Sequence, residues 1–293
     1  MMFLLLIIVI VLSFSLPLVH SQCNKSPVIF NFGDSNSDTG GFAVGLGYNF
    51  GPPYGRKYFH QPTGRLCDGR LIIDFLCESL HTAYLTPYFE SLRPNFTNGA
   101  NFAISGSSAL PGLIPFSLNV QVLQFLLFRA RSLELLSKAT FSNQIINIYQ
   151  HGGMNFWVHN TGPLGCLPQQ LATTGTGAIY FDQYGCLISL NKAAKAFNKQ
   201  SHTLCEELRS EMKNAMIVYV DIYAIKYDLI SNFSDYGFEN SLMACFGYGW
   251  PPYNYNPNVT CGQTGFNFCI EELKYISWDG VHYTEAANAI VAS

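Results

Sequence analysis

Two kinds of apolar stretch alternate along this chain. Val28 to Phe32 reads as a short, fully buried strand, and Gly33 is the break that lets the chain turn sharply behind it. Residues 41 to 64 are loop by their Gly and Pro content, and Asp68 to Ser79 place apolar positions at helical spacing. Asn101 to Ile104 is a second short strand. Asn119 to Ser137 reads as a helix, Ile145 to Tyr149 as a second helical piece capped by Gly152 and Gly153, and Phe156 to His159 as a strand running into "NTGPLGCLP". Leu187 to Met212 is a long helix with a polar face, followed by a β-branched strand from Met216 to Tyr223. Strands alternating with helices predict an α/β fold, a doubly wound, mostly parallel sheet flanked by helices. Ligands bind such sheets at the carboxyl ends of the strands, which is where Ser35 follows the first strand.

No linker or charge block divides the 293 residues, so one domain over residues 22–293 is expected. Hydrophobic residues make up 48% and charged residues 12%, which excludes a disordered chain; 16 Lys+Arg against 19 Asp+Glu leave no basic excess for nucleic acid. Residues 1–21, apolar until Pro17 and ending Val19-His20-Ser21, read as a secretory signal peptide. The run lacks a preceding Lys or Arg, and a retained anchor is the rival reading. No other segment is long and apolar enough to span a membrane, so a secreted, extracellular protein without a stable membrane anchor is expected. Four acceptor sequons, at Asn24, Asn95, Asn232 and Asn258, fit glycosylation on that route. Nine cysteines fit an oxidising compartment, their odd number leaving at least one unpaired or bridging chains. Zinc is the competing use of so many cysteines, but no CxxC or HExxH spacing supports it, and no metal or cofactor is expected.

The candidate chemistry lies at the two ends. In "SWDGVHYTEAA", Asp279 and His282 are three apart with a glycine between, a spacing that on a turn lets the carboxylate reach Nδ1 and leaves Nε2 free. A serine hydroxyl needs a base to take its proton, and the base needs a partner to fix its tautomer; Ser35, His282 and Asp279 supply those roles. Each also has an ordinary reading: Ser35 as a helix cap, His282 as a satisfied surface histidine, Asp279 as a turn residue beside Gly280. Three rival motifs fail. "GDSNS" has Ser37 where a lipase-type elbow wants its second glycine, "DSNSDT" puts Thr39 at the glycine position of a calcium loop, and "GLGYNFG" lacks dinucleotide-binding spacing.

The blocks "FNFGDSNSDTGG", "PPYG", "FHQPTGRLCDGRLIIDF", "GANFAISG", "FWVHNTGPLGCLP", "YNPNVTCG" and "SWDGVHYTEAA" resemble, in order, the plant GDSL esterase/lipase family, a branch of the SGNH hydrolases. The resemblance implies an SGNH-hydrolase-like sheet of flavodoxin-like order and hydrolysis of a small acyl ester or acetylated glycan, with glycosidase-like relatives as an alternative. It implies Ser35 as nucleophile, with Asp34 part of the signature but not the triad acid. The oxyanion would be held by the N–H groups of Ser35 and Gly106 and by an asparagine of a Gly-x-Asn-Asp block. Asn-Asp occurs nowhere in this chain, and Asn155 in "GGMNFWVHNTGPLGCLP" belongs to the next strand. Between Ser137 and Ile145 two helical pieces meet where relatives carry the asparagine strand, so one strand of the sheet is expected to be missing and activity impaired. The chain stops eleven residues past His282, which makes the closing helix short. Asn36 replaces the family's leucine, Phe246 follows Cys245 where relatives often have a second cysteine, and the resemblance suggests the pairs Cys166–Cys186 and Cys261–Cys269. The loop from Ala109 to Leu118 reads as a core cover or the wall of an acyl pocket.

Overall fold

The structure, a computed structural model, describes residues 27–112, 114–133, 144–174, 180–259 and 263–293. The signal reading, Asn24 and Cys261 lie outside the described residues. β1 (Ile29–Asn31) and β2 (Gly99–Asn101) run parallel, Ile29 opposite Gly99 and Asn31 opposite Asn101. Between them come α1 (Gly41–Leu46) and α2 (Ile72–Ser79). α1 falls in the stretch expected as loop. Asp38 accounts for it: its carboxylate accepts the N–H groups of Gly40, Gly41 and Phe42, which otherwise have no partner at a helix start.

α3 (Leu118–Leu133) and α4 (Gln144–Gln150) lead into β3 (Asn155–His159), α5 (Pro168–Thr173) and α6 (Ile188–Glu211). α6 buries Asn191, Ala194, Asn198, Cys205 and Leu208, the single face that its helical spacing predicts. β4 (Met216–Val220) pairs parallel with β3 along its length. It ends at Val220 rather than Tyr223 because Asp221 caps α7 (Ile222–Ser231), its carboxylate accepting the Ala224 N–H at 3.0 Å. β5 (Asn240–Ala244) pairs parallel with β8 (Tyr275–Ser277), and the short hairpin of β6 (Phe246–Gly247) and β7 (Asn267–Phe268) lies between them in the chain. α8 (Glu285–Ala292) closes the described chain.

The α/β character and the parallel pairing are as expected, but among the described residues the ladders are separate pairs: β1–β2, β3–β4, β5–β8 and β6–β7. No ladder joins β1 to β3. α4 occupies that junction. Its Ile148 packs with the aromatic cluster of Phe102 and Phe125 beside β1 and β2, while Ile145, Ile146 and Tyr149 pack with Leu208, Met212 and Ile217 beside β3 and β4. Val28 and Phe30 around β1, and Trp157 in β3, remain exposed. The β1–β2 and β3–β4 pairs are thus tied by helix packing at the place where a strand is expected to be missing.

Cys166 bonds Cys186 as the resemblance suggested. The suggested pairing of Cys269 with Cys261 is corrected: Cys269 bonds Cys245. The hairpin register explains it. Phe246 faces Phe268, so the residues just outside that pair are opposite, and the Cys269 N–H also donates to the Cys245 carbonyl at 2.8 Å. Cys67, Cys77 and Cys205 are buried and unpaired among the described residues. Asn95, Asn232 and Asn258 are exposed. No helix of the described residues is long and apolar enough to cross a membrane.

Candidate active site

The chain leaves β1 through Phe32 and turns at Asp34–Ser37, where the Ser37 N–H donates to the Asp34 carbonyl at 3.1 Å. Ser35 sits at the corner of that turn, at the carboxyl end of β1. Gly33 has φ +152°, and a Cβ there would stand 2.9 Å from Ser37 Oγ, so the turn needs glycine. Gln121 of α3, fully buried, clamps this glycine from both sides: its Oε1 accepts the Gly33 N–H at 2.9 Å and its Nε2 donates to the Gly33 carbonyl at 2.8 Å. The far side of the turn is held by asparagines on paired positions of β1 and β2. Asn101 Nδ2 and Asn31 Nδ2 both donate to the Ser37 carbonyl, and Asn31 also donates to Asn101 Oδ1 at 2.8 Å.

Asp38, 0% exposed, fastens this turn to the loop after β2. Besides capping α1, its Oδ2 accepts both the Ser105 N–H and the Ser105 hydroxyl at 2.8 Å. Gly106 follows with φ +80° and its surface open to solvent. The N–H groups of Ser35 and Gly106 meet no acceptor among the described residues. Asn155 opens β3 opposite Met216, at the strand's amino end, whereas His159 stands at its carboxyl end.

Asp279 and His282 lie on the turn after β8. Asp279 Oδ2 is 2.7 Å from His282 Nδ1, and Asp279 Oδ1 accepts the N–H groups of His282 at 2.9 Å and Val281 at 3.1 Å. Tyr54, in "PPYG", donates its hydroxyl to Asp279 Oδ2 at 3.2 Å. Gly280 has φ +94° and a Cβ would meet the Tyr255 ring at 2.5 Å, which explains the glycine within the Asp279–His282 spacing. Burial opposes ionisation of Asp279, but the His282 imidazole and the two N–H donors outweigh it and hold the carboxyl below its usual range. His282 Nε2 is buried and has no hydrogen-bond partner. The structure therefore brings Asp279 and His282 together and places Ser35 at a strand's carboxyl end, while no hydrogen bond joins Ser35 to His282.

Gln121 and Tyr54 were not singled out in the sequence, and Asp38 only as a position of the failed calcium loop. Asp38, an acidic residue two positions before Gly40-Gly41, suits a helix cap, and Tyr54 lies in the block "PPYG"; Gln121 carried no signal. A cavity of about 280 Å³ opens beside Asp279 and Val281, lined by Tyr248, Tyr255, Asn256 and Asn258 among others; none of its lining comes from the loop between Ala109 and Leu118. Among the described residues no group of three or more His, Cys, Asp or Glu side chains is placed to hold a metal ion.

The sequence model of the GDSL-like Lipase/Acylhydrolase family matches residues 29–148 and 135–293. One GDSL esterase/lipase of Arabidopsis thaliana is 51% identical over 324 residues, covering 94% of this chain and 87% of the relative. GDSL esterase/lipase LIP-4 of Arabidopsis thaliana is 51% identical over 322 residues, covering 93% and 86%. Alpha-L-fucosidase 3 of Arabidopsis thaliana is 38% identical over 341 residues, covering 94% and 91%. The alignments also locate a gap. Since 94% of 293 residues is about 275, roughly 50 of the 324 aligned positions hold a residue of the first relative with no counterpart here. The two family matches overlap at 135–148, so the break lies at the junction of α3 and α4.

Proposed function

Given that this chain belongs to the GDSL-like lipase/acylhydrolase family, we propose that it hydrolyses carboxylic esters with Ser35 as nucleophile, His282 as general base and acid, and Asp279 as the group that orients His282. The observation that carries this reading is the Asp279–His282 pair: a 2.7 Å contact at Nδ1 fixes the tautomer that leaves a lone pair on Nε2, and that atom is buried without a partner. Ser35 attacks the acyl carbon, its proton passes to Nε2, and the open N–H groups of Ser35 and Gly106 receive the oxyanion. The substrate is a small acyl ester or an acetylated glycan. The chain is secreted after removal of residues 1–21, folds as one domain over 22–293, and carries glycans on exposed Asn95, Asn232 and Asn258 and on Asn24.

The test is hydrolysis of p-nitrophenyl acetate by the secreted protein and by Ser35→Ala. Release of nitrophenol by the first and not the second supports the reading; equal rates contradict it. Two specific observations favour other readings. The relative named alpha-L-fucosidase brings a p-nitrophenyl fucoside into the same panel, and the gap of roughly 50 positions favours an impaired member that retains ligand binding without turnover.

A further inference from the structure

Lys226, in the middle of α7, is a buried cation that meets no carboxylate. It is 8% exposed and makes no salt bridge or hydrogen bond among the described residues. Its stem passes the turn after β3, where a Cβ on Gly162 would stand 3.2 Å from Lys226 Cδ. Its ammonium lies 4.1 Å over the ring of Tyr283, the residue after His282. Three groups face it from the packed elements: Asp34 from the turn after β1, His159 from the end of β3, and Tyr283 from the turn after β8. Burial brings the Lys226 ammonium down to about 8 while Asp34 pulls it upward, and burial together with the Lys226 charge lowers His159. Burial raises Tyr283, which keeps that hydroxyl neutral.

Gly162 follows β3 and Tyr283 follows β8, so Lys226 stands at the carboxyl ends of these strands, and the charge of Asp34, the residue before Ser35, acts on it. The resemblance implies an asparagine donor on a strand that the break at 135–148 removes. A buried, unpaired cation is costly, and the Tyr283 ring offsets only part of the cost. An anion that forms transiently at the site removes the rest.

We propose that Lys226 is the third oxyanion-stabilising group of this chain, its ammonium donating to the acyl oxyanion in place of the absent asparagine amide. The proposal rests on the ester-hydrolase reading of Ser35. Ser35 Oγ bonds to the acyl carbon as its proton moves to His282 Nε2, and the carbonyl π pair moves onto oxygen beside Lys226. Collapse re-forms the carbonyl and breaks the bond to the alcohol, which leaves with the proton from His282. Water then repeats the two steps and frees the acid. A charged donor in a water-poor site is stronger than a neutral amide, which lets one flexible side chain serve where a rigid one is missing.

Full-length wild type, Ser35→Ala, Lys226→Met and Lys226→Arg are assayed on p-nitrophenyl acetate from pH 6 to 10, with thermal melts. Methionine keeps the packing of the lysine stem. Lys226→Met should lose kcat by at least tenfold, toward the roughly hundredfold scale of one lost oxyanion donor, with KM unchanged and the melting temperature equal or higher. Lys226→Arg should recover part of the loss. Wild-type kcat should fall as pH rises through about 8, the point at which the lysine loses its charge, and that fall should be absent in Lys226→Arg. Wild-type kcat in Lys226→Met overturns the proposal, as does a loss that Lys226→Arg shares in full together with a lower melting temperature. If Lys226→Met is not secreted, the wild-type profile decides, and a flat kcat from pH 7 to 10 overturns the proposal. A Ser35→Ala variant as active as wild type overturns the reading beneath it, whatever Lys226 does.

Discussion

Replacing Asp38 should unfasten the serine turn from the glycine loop. The carboxylate is 0% exposed and accepts five hydrogen bonds, three from the N–H groups that start α1 and two from Ser105. In Asp38→Ala the lost helix cap costs about 1–2 kcal/mol. Leaving the Ser105 N–H buried without an acceptor costs about 1–3 kcal/mol more. The sum, about 2–5 kcal/mol, is a large part of the roughly 5–15 kcal/mol that holds a typical domain together. Asp38→Asn keeps one acceptor oxygen and should lose about half as much, and Ser105→Ala, which removes a single hydroxyl donor, about 1 kcal/mol. Urea unfolding at pH 7 ranks the three. Hydrolysis should fall further than stability alone explains, because Asp38 sets the Gly106 loop relative to Ser35. An Asp38→Ala protein within 1 kcal/mol of wild type, or equal to Ser105→Ala, would refute the reasoning.

Asp279→Asn keeps the turn but loses the charge that fixes His282, and kcat should drop by roughly 10⁴-fold, as in the serine-protease template; a drop under tenfold contradicts the role. Asp68 is buried against the α8 start, and burial and the nearby Glu285 charge raise its carboxyl to about 6. A raised carboxyl contributes stability that is fully present below its ordinary value of about 4 and is lost as pH climbs to about 6, so the wild-type melting temperature should decline from pH 4 to 6.5. Asp68→Asn should flatten that slope, by about 3 kcal/mol at most, and parallel slopes exclude Asp68 as its source. Restoring a Gly-x-Asn-Asp strand between Ser137 and Ile145 should raise both the melting temperature and kcat, the latter by roughly tenfold or more, since a strand-anchored amide is better placed than a lysine on four methylenes. Equal values in both forms would show that α4 and Lys226 compensate fully.

The sequence carried the strand before Ser35, the long α6 and the Asp279–His282 turn because each is local: one apolar run, one helical face, one three-residue spacing. The break in the sheet was legible too, as an absence of Asn-Asp and of room between two helical pieces. β5 to β8 were not, since strands of two to five residues show no periodicity and are set by long-range pairing such as the Cys245–Cys269 hairpin. α1 was hidden by its glycines, and only the capping carboxylate of Asp38 overrides them. Asp38, Gln121 and Lys226 act at the site across 67, 88 and 57 residues of chain respectively, with Ser105, Gly33 and Tyr283 as partners. No local pattern announces a contact at that range.

The central claim is that Ser35 is an activated nucleophile in this chain as it stands, gap included. Incubation of the folded, secreted protein with a fluorophosphonate, followed by peptide mass mapping, tests it most directly, because labelling needs a deprotonating partner and an oxyanion site but no particular substrate. The account predicts a single phosphonyl adduct, on Ser35, abolished in Ser35→Ala and strongly slowed in Asp279→Asn. A folded protein that takes up no label, or takes it on another residue, would contradict it.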